Sequence, residues 1–219
     1  MTHASDEQLR DELLAMERED RETRARLEAS GSLFRGYDDE MRAVHERNAE
    51  KLQHSIETHG WPGRSLAGTD GAAAAWLVLQ HAISRPSLMR LGLELVRQAA
   101  AESEAEPSQV AYLLDRIRTL EGRPQVYGTQ YDWDPNGRLS PLPIEDPQEI
   151  DERRAAVGLS PLGENTDAMR RGASSEPPPS DWQERQQETE QWARSVGWRL
   201  RGRVARDVSA PAHLPTIEP

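Results

Sequence analysis

The 219-residue chain contains no cysteine, one phenylalanine and, among its 27 basic residues, a single lysine, Lys51. The missing thiols exclude a disulfide scaffold, a thiolate zinc site and a cysteine nucleophile together. Long apolar runs are missing too, since no stretch approaches the roughly 18 residues a membrane span needs. The opening "MTHASDEQLRDELLAM" has no basic leader before an apolar run. A soluble cytoplasmic protein is therefore expected, with no membrane association. Positive charge is in deficit, the formal net charge being -11, so the clustered cations that nucleic-acid binding requires are not expected. A hydrophobic content of 36% and a mean hydropathy of -0.82 are low for a fully packed globule, so part of the chain is expected outside the core.

What is present reads almost wholly as helix. Ser5 with Gln8 makes a capping-box start, and Leu9, Leu13, Met16 and Leu27 mark a sparse apolar stripe on a helix over about 6–29. "SGSLFRGY" breaks it with two glycines. A second helix, roughly 38–59, carries Met41, Val44, His45, Asn48, Leu52 and Ile56 at spacings of three and four, and "HGWPG" ends it. After a cap at Thr69 or Asp70, "AAAAWLVLQHA" is apolar nearly all round and predicts a buried helix. Pro86 opens a fourth helix, and Ser108 is placed to cap a fifth on which Ala111, Leu114, Asp115 and Arg118 share a face. Asp146, Pro147 and Glu149 form the cap, first-position proline and third-position acid of a short sixth helix ending near Gly158.

Between the fifth and sixth helices, "VYGTQYDW", "DPNG" and "RLSPLPI" predict a hairpin or an irregular extended loop. From about Gly163 the pattern dissolves into a linker. Ser180 and Gln183 then cap one more helix, with Trp182, Thr189, Trp192 and Val196 loosely on one face, before a basic run of Arg199, Arg201, Arg203 and Arg206. The expected fold is a compact, mainly α domain over 5–162 with one irregular hairpin loop, plus a poorly packed C-terminal tail over 163–219. Removal of residues 172–219 is expected to leave the domain folded.

The sharpest chemical feature is the helix-end pair Gln80 and His81. An imidazole titrates near neutrality and acts as base, acid or ligand, while an adjacent amide orients substrate or water; equally, a core histidine satisfies its ring nitrogens on backbone carbonyls. Asp115, on an apolar face, must have a partner. That partner is either an arginine such as Arg116 or His81, whose tautomer Asp115 would then hold. His45 and Asn48 repeat the anomaly on the second helix, and Trp61 stands where that helix ends. Gln125, Tyr127, Thr129 and Gln130 form an amide and hydroxyl set that either walls a polar pocket or pins its own loop. Asp20 and Arg24, at i and i+4, read as a surface ion pair. The histidine spacings match no metal motif, so neither a metal nor a cofactor is expected.

The blocks "LLAMEREDRETR", "HGWPGRSLAG", "AAAAWLVLQHA", "YLLDRI", "PQVYGTQ" and "PIEDPQEIDERRAAVGL", in that order, resemble a bacterial family catalogued as domain of unknown function 6624, over about residues 9–162. The resemblance places the family's recurring polar positions on Asp20, Arg24, Asn48, Gly60, Trp61, Pro62, Gln80, His81, Asp115, Arg116, Gln125, Tyr127, Gly128 and Gln130. Arg21 and Ile83 depart from its pattern. It implies a set of polar residues and no reaction.

The expected function is a hydrolase-like acid/base enzyme acting on a small molecule or peptide. His81 would be the base and Asp115 its orienter, with Gln80, Gln125, Tyr127, Gln130, Trp61, Asn48 and Arg116 as ligand contacts. The alternative is a noncatalytic ligand-binding or interaction module in which these groups are structural and the tail contacts a protein partner.

Overall fold

The computed structural model describes residues 2–31, 37–173 and 181–199, and within them the chain is mainly α. Five longer helices come first: α1 (Thr2–Ala29), α2 (Asp39–His59), α3 (Arg64–His81), α4 (Pro86–Ala101) and α5 (Pro107–Leu120). A two-stranded hairpin, β1 (Tyr131–Trp133) and β2 (Leu139–Pro141), separates them from α6 (Ile150–Ala156), α7 (Leu162–Gly172) and α8 (Trp182–Ser195).

The buried residues of α1, namely Leu9, Leu13, Met16, Asp20, Thr23 and Leu27, alternate spacings of four and three. Such a narrow seam fits a helix that is solvated on its other sides and packs on α2 and α3. α1 begins upstream of Ser5, which is therefore not its cap. α2 is capped by Asp38, whose carboxylate accepts from the N–H groups of Glu40 and Met41. Its inner face buries Met41, Val44, Asn48, Ala49, Leu52, Ser55 and Ile56.

α3 runs through the middle of the molecule, in contact with α1, α2, α4 and α5. Its alanines keep the helix thin, so neighbours approach closely. The approach is tightest where Gly92 of α4 meets Leu79: a Cβ on that glycine would lie 2.5 Å from both Leu79 methyls. Gly68, at φ +71, breaks the first turn of α3 from the rest, so the long part starts beside Asp70, close to the expected cap. On α5 the cap falls on Glu106, whose N–H donates to the Gln109 side chain at 3.0 Å; Ser108 lies inside the first turn.

The predicted hairpin is antiparallel, pairing Tyr131 with Pro141, Asp132 with Ser140 and Trp133 with Leu139. Asp134 closes its turn by accepting from the N–H groups of Asn136 and Arg138 and from the Ser140 hydroxyl. Asp146 does not cap the next helix. It sits at φ 45 without a side-chain cap bond, a 3₁₀ turn covers Pro147–Glu149, and α6 follows.

The C-terminal third departs most from expectation. The first part of the supposed linker, residues 163–172, belongs to helix α7, held by polar contacts that leave no apolar period to detect, while residues 174–180 lie outside the described residues. The Thr166 and Tyr131 hydroxyls meet at 3.0 Å, and Arg170 donates to the Leu139 carbonyl at 2.9 Å. α8 is capped by Asp181, which accepts from Glu184; Ser180 and the basic residues beyond Arg199 lie outside the described residues. Ala193 and Trp198 join the main core with Leu13, Leu52, Val78 and Leu113. The Trp198 indole N–H donates to the Ile83 carbonyl at 2.6 Å, and the Arg90 guanidinium lies 5.0 Å over its ring. Because this indole is buried and bonded, Trp198→Ala is expected to destabilise the protein by about 3 to 5 kcal/mol in a denaturant melt. A loss below about 1 kcal/mol would mean that the segment merely rests on the domain.

Candidate functional site

The α1 seam places Asp20 among Met16, Thr23 and Leu27, with only 2% of its surface exposed. Opposite it stand His45, beside Asn48 on α2, and His81, the last residue of α3. His81 Nδ1 lies 2.7 Å from Asp20 Oδ2. His45 Nε2 approaches the same oxygen at 3.2 Å but off the hydrogen-bond line, so that nitrogen is buried without a directed partner. The two imidazoles lie 4.8 Å apart between centroids. Behind them the Tyr37 hydroxyl meets His45 Nδ1 at 2.8 Å, and Trp192 of α8 packs edge-on against Tyr37. Asn48 ties α2 to α1 by donating to the Met16 carbonyl at 3.1 Å, one turn before Asp20.

Electrostatics assign protons to this cluster. Burial works against ionisation of Asp20, but the hydrogen bond from His81 and the nearness of both imidazoles outweigh it and hold the carboxyl far below its ordinary 3.8. For His81 the loss of water dominates the attraction of Asp20, and its pKa falls below the ordinary 6.5. At neutral pH the pair is thus a carboxylate and a neutral imidazole with Nδ1–H donating. His81 Nε2, with no partner among the described residues on a side chain 23% exposed, then carries the free lone pair.

Both shifts make acid destabilising, in separate windows. Below pH 6.5 the unfolded His81 takes up a proton that the native imidazole refuses, so stability falls as pH drops from 6.5 towards the lower native pKa. Below 3.8 the unfolded Asp20 protonates first, and the stability gained from its native carboxylate is lost as pH falls further. Melts across pH should show both declines, and His81→Gln should remove the first. A wild-type profile flat between pH 7 and 5 would contradict the His81 assignment.

The expected partnership of His81 with Asp115 is not formed. Asp115 is fully buried, but its carboxylate faces the loop, accepting from the N–H groups of Val126 (2.7 Å), Tyr127 (3.1 Å) and Thr129 (3.0 Å) and from the Thr129 hydroxyl (3.0 Å). Gln125, also fully buried, completes the pin: its amide donates to the carbonyls of Gln130 and Leu142 and accepts from Gln130 N–H. Arg154, which the sequence did not single out, donates to the carbonyls of Tyr127, Gly128 and Ser160. Of the loop's amide and hydroxyl set, Gln125 is thus spent on the loop backbone and the Thr129 hydroxyl on Asp115, with the Gln130 amide donating to the Thr129 hydroxyl. Asp115→Asn turns an acceptor into a group that must also donate among facing N–H groups, and is expected to cost about 3 kcal/mol. Equilibrium unfolding measures it; a neutral substitution would deny the carboxylate its anchoring role.

Of the other expected contacts, Gln80 and Arg116 lie at the His81 end of α3, where Arg116 Nη1 donates to the Gln80 carbonyl at 3.1 Å. Trp61 packs against the main core. Asp20 was misread as a surface partner of Arg24, although its place at i+4 from Met16 and i+7 from Leu13 continues the buried stripe and signals a buried acid. Tyr37 itself lies outside the helices, where periodicity carries no signal.

The histidine spacings gave no metal motif, yet the fold brings donor atoms of Asp20, His45 and His81 within 4.8 Å of one another, a set suited to a divalent ion. A separate shallow groove between α1 and α2, lined by Gln8, Glu12, His54, Thr58 and His59, contains none of these residues.

A family model described as a family of unknown function, DUF6624, matches residues 7–172, ten residues further than the block resemblance reaches. The match takes in Asp20, His45, His81, Asp115 and Arg116 and stops short of α8. No curated protein and no solved structure matches the chain.

Proposed function

The chain belongs to the DUF6624 family, whose function is unknown, and from its own atoms we propose a hydrolase-like acid–base enzyme acting on a small molecule or peptide, with His81 as base. Asp20, in place of Asp115, holds its tautomer. The observation that carries this reading is the 2.7 Å contact between His81 Nδ1 and a buried carboxylate, which leaves Nε2 uncommitted on a partly exposed ring. In the reaction, Nε2 takes a proton from water as the water attacks an electrophilic carbon or phosphorus. The same proton then returns to the leaving group. Asp20 stabilises the imidazolium formed between those steps without being protonated itself. A base with a pKa below 6.5 stays unprotonated at neutral pH, so turnover should rise through that lowered pKa and level off above it.

A screen of chromogenic esters, amides and phosphoesters provides the test. With any substrate it returns, His81→Gln and Asp20→Asn should each lower kcat by about 10²- to 10⁴-fold while His81→Gln remains folded. Full turnover in folded His81→Gln would end this reading. The convergence of His45 on the same carboxylate favours a second one, in which the three donors hold a divalent ion that activates the water. The acid–base reading expects a chelator to change neither melting temperature nor turnover. Loss of both, with about one metal per chain by elemental analysis, would transfer the site to the metal.

A further inference from the structure

Beside His81 the protein holds buried donors that find no acceptor among the described residues. Arg116 of α5 reaches the end of α3 and donates from Nη1 to the Gln80 carbonyl, while its Nε is buried without a partner. Gln80 is 4% exposed, and its side-chain Nε2 is likewise buried without an acceptor. Arg24 stands one helical turn after Asp20 on α1, near enough to Arg116 for its charge to act on that guanidinium. Among the described residues neither Arg24 nor Arg116 has a carboxylate within ion-pair distance. This is unexpected in a chain of net charge -11, where Arg10, Arg26, Arg47 and Arg90 each find an acid.

We propose that Arg116 and Arg24, with the Gln80 amide, form an oxyanion-binding subsite beside His81, so that the molecule acted on carries a phosphate or carboxylate group. Buried donors lacking acceptors are costly when empty and are matched by a ligand that only accepts. Charge points the same way: loss of water and then the neighbouring Arg24 charge hold the Arg116 pKa down to about 10, a penalty that a bound anion would relieve. The planar guanidinium fork suits two oxygens of one ligand group. As a substrate subsite this rests on the His81 reading; as an anion site it stands alone.

Calorimetric titration of the full chain with inorganic phosphate and, separately, with acetate tests the subsite and tells the two anions apart. Saturable binding of at least one is expected, weakened roughly tenfold by Arg24→Gln and by Arg116→Lys, which keeps the charge but removes the fork. Arg24 is exposed, so its variant remains informative even where an Arg116 variant melts early. His81→Gln should lose turnover and keep anion binding, which separates failure of the base from failure of the subsite. Absence of binding of both anions to the wild type, or binding unchanged in both arginine variants, would overturn the proposal.

Discussion

A carboxylate in an apolar interior must be met by donors or it unfolds what surrounds it, and the described residues bury two. Asp115 is met by its own loop, with three backbone N–H groups and a hydroxyl closing around it. That arrangement converts "VYGTQ" from free chain into a rigid ledge, which the hairpin and α6 then extend. Asp20 is met by His81, which donates from Nδ1 and also titrates, with the His45 ring close to the same oxygen. One solution is structural and settles the loop. The other leaves an imidazole on a partly exposed ring at the end of α3.

α5 carries both consequences. Asp115 and Arg116 are adjacent and so diverge by about 100° around the helix axis. One enters the loop network, and the other reaches the end of α3 beside His81. α3 buries Ala72, Ala74 and Ala75 in its middle, and Asp20 of α1 and His45 of α2 meet His81 at its C-terminal turn.

α8 belongs to the same construction. It lies beyond the family match, yet Trp198 bonds the Ile83 carbonyl two residues after His81, and Trp192 backs Tyr37, which in turn holds His45. The C-terminal segment thus rigidifies the imidazole pair from behind. Its own polar composition hid this role, because a few aromatic anchors make no periodic stripe. α7 was hidden because polar contacts hold it in place of an apolar stripe.

The sequence by itself determined the mainly α class, the stripes of the first five helices, the hairpin turn and the family, since local spacing and capping chemistry are properties of one segment at a time. It also determined that His81, Asp115 and His45 were anomalies requiring partners. Who those partners are was decided only by the tertiary structure. Pairing depends on how α1, α2, α3 and α5 are rotated about their axes relative to one another, and a few tens of degrees suffice to aim Asp115 at the loop and give His81 to Asp20. Single-helix periodicity places a side chain on a face; it does not say which face of another helix it meets.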